Sequence, residues 1–208
     1  MKKTIIFFKL FLLLSQYAIA EQVKGQIGVW HNNQPFAIKV ILPKFTKGAL
    51  ANDMIQIKNL PDNFVIDEDD CFCFDINDDR FAYVHAYYYA TRQIQEYNSL
   101  MNSLGLKKIK NLKIYLQKSL SGTMPHGSAD WDKNINLSYS RHAFDVSLIT
   151  HEIGHEIHGF LIGKKFSDFF EMPSTDDDWI LWYHKLGIIE GVANFLSSLH
   201  LGSPTIGK

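Results

Sequence analysis

The sequence predicts an α+β fold, and three observations predict it. After residue 20, short β-prone runs alternate with turn-forming breaks. Asp79 to Ser103 is one long helical stretch. Two further strand-like runs are then followed by two amphipathic helical segments. The apolar and charged fractions, 46% and 21%, are those of an ordinary globular protein, without repeats or low-complexity tracts. A chain of this length buries a real core.

Met1 to Ala20 reads as a secretory signal. Lys2 and Lys3 form the charged start, Ile5 to Leu14 the apolar core, and Ala18 and Ala20 a small-x-small cleavage site. The apolar core is too short to span a bilayer comfortably, and no Cys follows the cleavage site to carry a lipid. The expectation is a secreted or periplasmic chain that starts at Glu21 and has no stable membrane anchor. Losing Lys2, Lys3 and Lys9 moves the formal charge from −1 to −4, which leaves no basic footprint for nucleic acid.

Residues 21–74 read as a β-rich N-terminal segment, with runs at Val23 to Trp30, Phe36 to Leu42 and Met54 to Leu60. A small leading module, a propeptide remnant and the outer sheet of the following lobe all fit this pattern. Cys71 and Cys73 share a face of an extended strand, with Cα atoms near the upper limit for a disulfide. A bridge and a pair of buried thiols are both open. The acidic runs Asp67 to Asp70 and Asp75 to Asp79 raise the question of calcium. The EF-hand pattern fails because Arg80 stands where Gly is required, so a solvated acidic loop is the better reading.

From Asp79 to Ser103 the chain predicts a helix that stops before Gly105. Its tyrosines, Tyr83, Tyr87, Tyr88 and Tyr89, read as core packing. Asn111 to Leu116 and Asn134 to Tyr139 predict strands. Phe144 to Gly163 predicts a helix capped by Gly163. A long loop follows that Pro173 keeps from being helical, Asp176 to Asp178 suit a helix start, and Gly187 to Leu199 predicts a second amphipathic helix.

The helix from 144 to 163 carries His151, Glu152, Ile153, Gly154 and His155, a His-Glu-x-x-His pattern. At about 100° per residue, positions i and i+4 share one face a turn apart, so two imidazoles can grip one metal ion. The intervening Glu leans into the same cleft, where it can take a proton from water. Zinc is the metal this ligand set favours. Val146, Ile149, Ile153, Ile157, Phe160 and Leu161 form an apolar stripe roughly opposite the two imidazoles.

A third protein ligand is needed, and the candidates are Glu156, His158, Glu171, His184 and Glu190. His158 lies about 10 Å along the axis from His151, too far to share an ion with both imidazoles. A third His six residues after the second, as in one class of zinc peptidases, is excluded by Leu161. Glu190 is better placed. It shares a helix face with Asn194 one turn on, and Asn194 can accept from the far nitrogen of a metal-bound His.

His151 to His155, followed by Glu190, Gly191, Val192, Ala193 and Asn194, resembles the thermolysin-like and fungalysin-like gluzincin metallopeptidases. The resemblance extends upstream, to Phe81–Arg92 as the family's long first helix and to Ser128–Leu137 as its edge strand, which holds extended substrate. It covers roughly Asp75 to Leu201. It implies a zincin-like peptidase lobe over residues 75–208, built from a twisted sheet, a zinc-binding helix and a third-ligand helix. It also implies Zn2+ held by His151, His155 and Glu190, with Glu152 as general base, and raises the possibility of a stabilising Ca2+. Asn194 stands where the family usually has Asp, and the gap between the two motifs is longer than in thermolysin. The family's helical second lobe, with its transition-state His, has no counterpart within the chain.

The sequence therefore predicts a secreted zinc metalloendopeptidase acting on peptide or protein substrates. The alternative is a catalytically incomplete zinc- or peptide-binding relic. Ile188, Ile189, Val192, Phe195 and Leu196 predict an apolar surface on the third-ligand helix, to be covered by self-association or by a partner chain.

Overall fold

The computed structural model describes residues 23–31, 34–43, 49–66, 70–117, 127–129, 132–138, 145–163 and 175–202. The N-terminal signal read from the sequence, Glu171, and residues 67–69 of the first acidic run lie outside these residues. The architecture is mixed α+β, as the sequence predicts. Among the described residues three helices pack with two small sheets. No helix among them is long and apolar enough to cross a membrane.

The first sheet has strand order β2-β1-β4. Strands β1 (Lys24–His31) and β2 (Gln34–Ile41) pair antiparallel, and the two-residue strand β4 (Cys71–Phe72) runs parallel to β1. The second sheet has order β3-β5-β7-β6. Strands β3 (Ile55–Lys58), β5 (Leu112–Gln117) and β7 (Asn134–Ser138) are parallel, while β6 (Gly127–Ala129) closes one edge antiparallel to β7. Residues 21–74 thus contribute one strand, β3, to the sheet otherwise built from later residues. The stretch read as a single edge strand, Ser128 to Leu137, is a hairpin of β6 and β7. Its turn carries Lys133 at φ 67°.

Helix α1 (Asp79–Ser103) is the spine of the core. Asp78 caps it by accepting from the Arg80 N–H, and its carboxylate takes the Arg80 guanidinium at 2.6 Å. The Arg80 hydrogen bond holds that carboxyl below its ordinary value, against a smaller opposing effect of burial. The acidic run is therefore partly a helix cap. Phe81, Val84, Tyr87 and Ile94 of α1 are fully buried against Ile55, Leu112, Ile114 and Ile135 of the second sheet and residues of the first, in one continuous core. Gly28 of β1 is tied to α1 through both halves of its backbone: its N–H donates to His85 Nδ1 at 3.0 Å, and its carbonyl accepts from the Tyr89 hydroxyl at 3.2 Å. The Tyr87 phenol is pushed up to about 12 by burial, although hydrogen bonds with Asn52 and Thr91 pull the other way. The tyrosine cluster is packing, as read. Cys71 and Cys73 are joined in a disulfide, with Cα atoms 5.1 Å apart, which settles the alternative left open above.

Helix α2 (Val146–Ile162) starts at Asp145, whose carboxylate accepts from the Ser147 and Leu148 N–H groups, and ends at Gly163 in the left-handed conformation (φ 65°). Ile149, Ile153 and Ile157 are buried as predicted, each worth about 1.5–3 kcal/mol of apolar burial. Leu161, assigned to the same stripe, is instead 51% exposed: in the last turn of α2 it is Phe160 that packs against the core, and the next residue, about 100° around the helix, faces outward. Helix α3 (Asp176–Leu201) begins eleven residues before the predicted Gly187. Thr175 and Asp178 form a capping box at its start, so Asp178 of the acidic triplet serves the helix start as expected.

Candidate metal centre

Helices α2 and α3 lie against each other in antiparallel order, and the predicted ligands meet where they touch. His151 Nε2 and His155 Nε2 are 3.0 Å apart. The Glu190 carboxylate reaches across from α3, with Oε2 3.2 Å from His151 Nε2 and Oε1 3.5 Å from His155 Nε2. Among the described residues this is the group of His, Cys, Asp and Glu whose ligand atoms converge, all within 4.8 Å of one another.

These separations test whether zinc fits. Ligand atoms about 2.0–2.1 Å from one ion at tetrahedral angles lie about 3.3 Å from each other. The imidazole nitrogens are 3.0 Å apart and each has its own Glu190 oxygen at 3.2 or 3.5 Å, near that value, while one ligand atom from each of the three residues lies within 4.8 Å of the others. The donor set, two imidazole nitrogens and a carboxylate oxygen, is one that binds zinc with a fourth position left for water. The residues present fit the ion.

The far side of the His151 ring is held as well. Its Nδ1–H donates to Asn194 Oδ1 at 2.7 Å, because an amide oxygen only accepts, and this turns Nε2 toward Glu190. Among the described residues His155 has no such support: its Nδ1 is buried and none of them bonds to it.

Charge is organised around the same point. Burial pulls the His151 value down, but the Glu190 hydrogen bond, the charges of Glu152 and Glu190 and the Asn194 contact outweigh it and hold His151 above its ordinary value. Hydrogen bonds from His151 and His155 hold Glu190 well below the usual carboxylate range, against burial, so it is ionised. Glu152 is only 5% exposed, and burial raises it above an ordinary carboxyl, opposed by the charges of both imidazoles. A base that is harder to ionise is a stronger proton acceptor near neutral pH.

The rejected ligands have other places. Glu156 is buried on α2 and accepts the backbone N–H of Lys133 at 3.0 Å, pinning the β6–β7 turn to the helix. His158 is partly buried, with its value lowered by burial and by the charge of His155, and it lies outside the converging group. His184 is exposed on α3.

Sequence reasoning missed the residues that let the two helices approach. A Cβ on Gly154 would stand 2.8 Å from the Ala193 carbonyl oxygen, so only glycine fits there without displacing backbone. The clue was legible: both small residues sit inside the two motifs, one turn or less from a ligand. No family model matches the chain, and no curated protein or solved structure matches it.

Proposed function

We propose that the chain is a secreted zinc-dependent metallopeptidase of the gluzincin kind, with a zincin-like lobe. His151, His155 and Glu190 hold the zinc and Glu152 is the general base. One observation carries the reading. Two motifs 35 positions apart in sequence, on separate helices, bring two imidazole nitrogens 3.0 Å apart and a carboxylate whose oxygens lie 3.2 and 3.5 Å from them, with a second, buried carboxylate on the residue after the first imidazole.

A zinc ion held there supplies a water of lowered pKa and polarises a peptide carbonyl. With zinc bound, Glu152, buried beside His151, would accept the water's proton and return it to the departing amine. Asn194 keeps the His151 ring turned with Nε2 toward the ion. Strand β6 is an edge strand beside α2, and its backbone groups can hold an extended peptide across the cleft by adding a strand to the sheet. Glu156 fixes the hairpin that presents this edge.

The test measures zinc by elemental analysis and casein cleavage with and without a chelator, on the purified secreted chain. About one zinc per chain together with chelator-sensitive cleavage supports the reading. Zinc without cleavage reduces it to a metal-binding protein, and absence of zinc removes it.

A further inference from the structure

Thr150 stands immediately before His151, and Ser197 lies two turns after Glu190 on nearly the same side of α3. Both are completely buried, and their hydroxyl oxygens are 2.5 Å apart. Thr150 Oγ1 also lies 2.9 Å from the Val146 carbonyl and 3.1 Å from that of Ser147, while Ser197 Oγ lies 3.2 Å from the Ser147 carbonyl. Each hydroxyl has one proton to give. Either Thr150 donates within its own helix and Ser197 donates across to Thr150 Oγ1, or Ser197 donates to the Ser147 carbonyl and Thr150 donates across to Ser197 Oγ; in both, one proton joins the two helices through the hydroxyl pair. From the other side, Gln93 of α1 donates its amide N–H to the Thr150 carbonyl at 3.0 Å. The residue before the first imidazole is thus gripped by α1 through its backbone and by α3 through its side chain.

The contacts between α2 and α3 run in a fixed order. Ser197 meets Ser147 and Thr150, Asn194 meets His151, Ala193 meets Gly154, and Glu190 meets both imidazoles. The Gly154–Ala193 contact is smooth and specifies distance but not register. Glu190 has several rotatable bonds and can follow a shifted helix. The hydroxyl pair cannot, because each group has one rotatable bond. A slip of one helical turn, about 5.4 Å along the axis, takes the pair out of hydrogen-bonding range and breaks the bond between the two buried hydroxyls.

We propose that the Thr150–Ser197 hydroxyl pair sets the register of α3 on α2 and thereby holds Glu190 and Asn194 opposite the two imidazoles. Both are positioning residues for the metal, and the proposal rests on the zinc reading above. A purely structural role would change folding stability and leave metal affinity and ligand geometry alone. A positioning role changes both of the latter.

Cobalt serves as the probe, added to the chelator-stripped full chain. Its visible absorption band reports ligand geometry, and competition with a chromophoric chelator gives affinity. Thr150→Val and Ser197→Ala are expected to weaken cobalt binding about tenfold or more and to alter the band. Thr150→Ser, which keeps the hydroxyl, is expected to restore both, although it loses a buried methyl and some thermal stability. Wild-type affinity and spectrum in Ser197→Ala overturn the proposal whatever its melting temperature, as does a Thr150→Ser variant as weak as Thr150→Val. Should Thr150→Val not fold, Ser197→Ala decides, since it leaves the Thr150 donor satisfied. A wild-type chain that takes up no cobalt or zinc removes the metal reading itself, and the register proposal with it.

Discussion

Gly154 and Ala193 are in backbone contact: a Cβ on the glycine would lie 2.8 Å from the Ala193 carbonyl oxygen and 3.0 Å from its Cα. This contact sits between the two imidazoles on one helix and between Glu190 and Asn194 on the other. It sets how far a carboxylate must reach.

Gly154→Ala is therefore expected to push α3 away from α2. Overpacking of this kind costs about 1–3 kcal/mol, more than the gain in helix propensity of up to about 1 kcal/mol can offset. The variant should melt lower than wild type and hold less zinc. Calorimetry and elemental analysis on the same sample check it; equal zinc and an unchanged melting temperature would show that the helices have room.

Glu190→Ala removes the ligand proposed on α3, and most of the zinc should go with it. His158→Ala should retain the metal, because His158 lies outside the converging group. Elemental analysis of the two variants decides between Glu190 and any other third ligand.

Glu152→Gln keeps the size of the side chain and removes the proposed base. The zinc should stay while casein cleavage falls by about 10² to 10⁴, the usual worth of general-base help. Turnover that survives this change places the chemistry elsewhere.

The stripped protein should show its own dependence on pH. Glu190 is depressed on folding, so it adds stability above its ordinary 4.5 that is lost as pH falls through its folded value. His151 is raised on folding, so it adds stability present below 6.5 that is lost as pH rises through its folded value. Glu152 is raised by burial and subtracts stability once pH passes 4.5. The chelated chain should be most stable between these two ordinary values and weaken toward pH of about 8, whereas saturating zinc should reverse that slope because metal and protons compete for the imidazoles. Melting curves across this range, with chelator and with zinc, provide the comparison.

Of the five apolar residues read as uncovered on the third-ligand helix, Ile189 is fully buried, and Val192 and Leu196 are partly covered. Ile188 and Phe195 remain 62% and 63% exposed, joined by Leu199 at 64%. Gly187 and Gly191, on the same side, have open space at their Cβ positions. A second copy laid antiparallel across Gly191 brings its Phe195 level with Gly187. Self-association that rises with concentration is expected, weakened in Phe195→Gln, with zinc content unchanged. Sedimentation at two concentrations measures it.

What the sequence by itself determined is whatever depends on local spacing. The i, i+4 repeat placed His151 and His155 on one face, the run of Ile149, Ile153 and Ile157 chose the face to bury, and Gly163 and Asp176 to Asp178 marked helix ends, because these effects act within a few turns of one helix. The tertiary structure decided what depends on two segments meeting. It turned Ser128 to Leu137 into a hairpin, enrolled β3 from the leading segment in the second sheet, and left Leu161 outside the core. It also set Ser197 against Thr150 and Ala193 against Gly154. Burial and close contact between distant residues follow from how helices and sheets pack, and no periodicity within one segment encodes its distance from another.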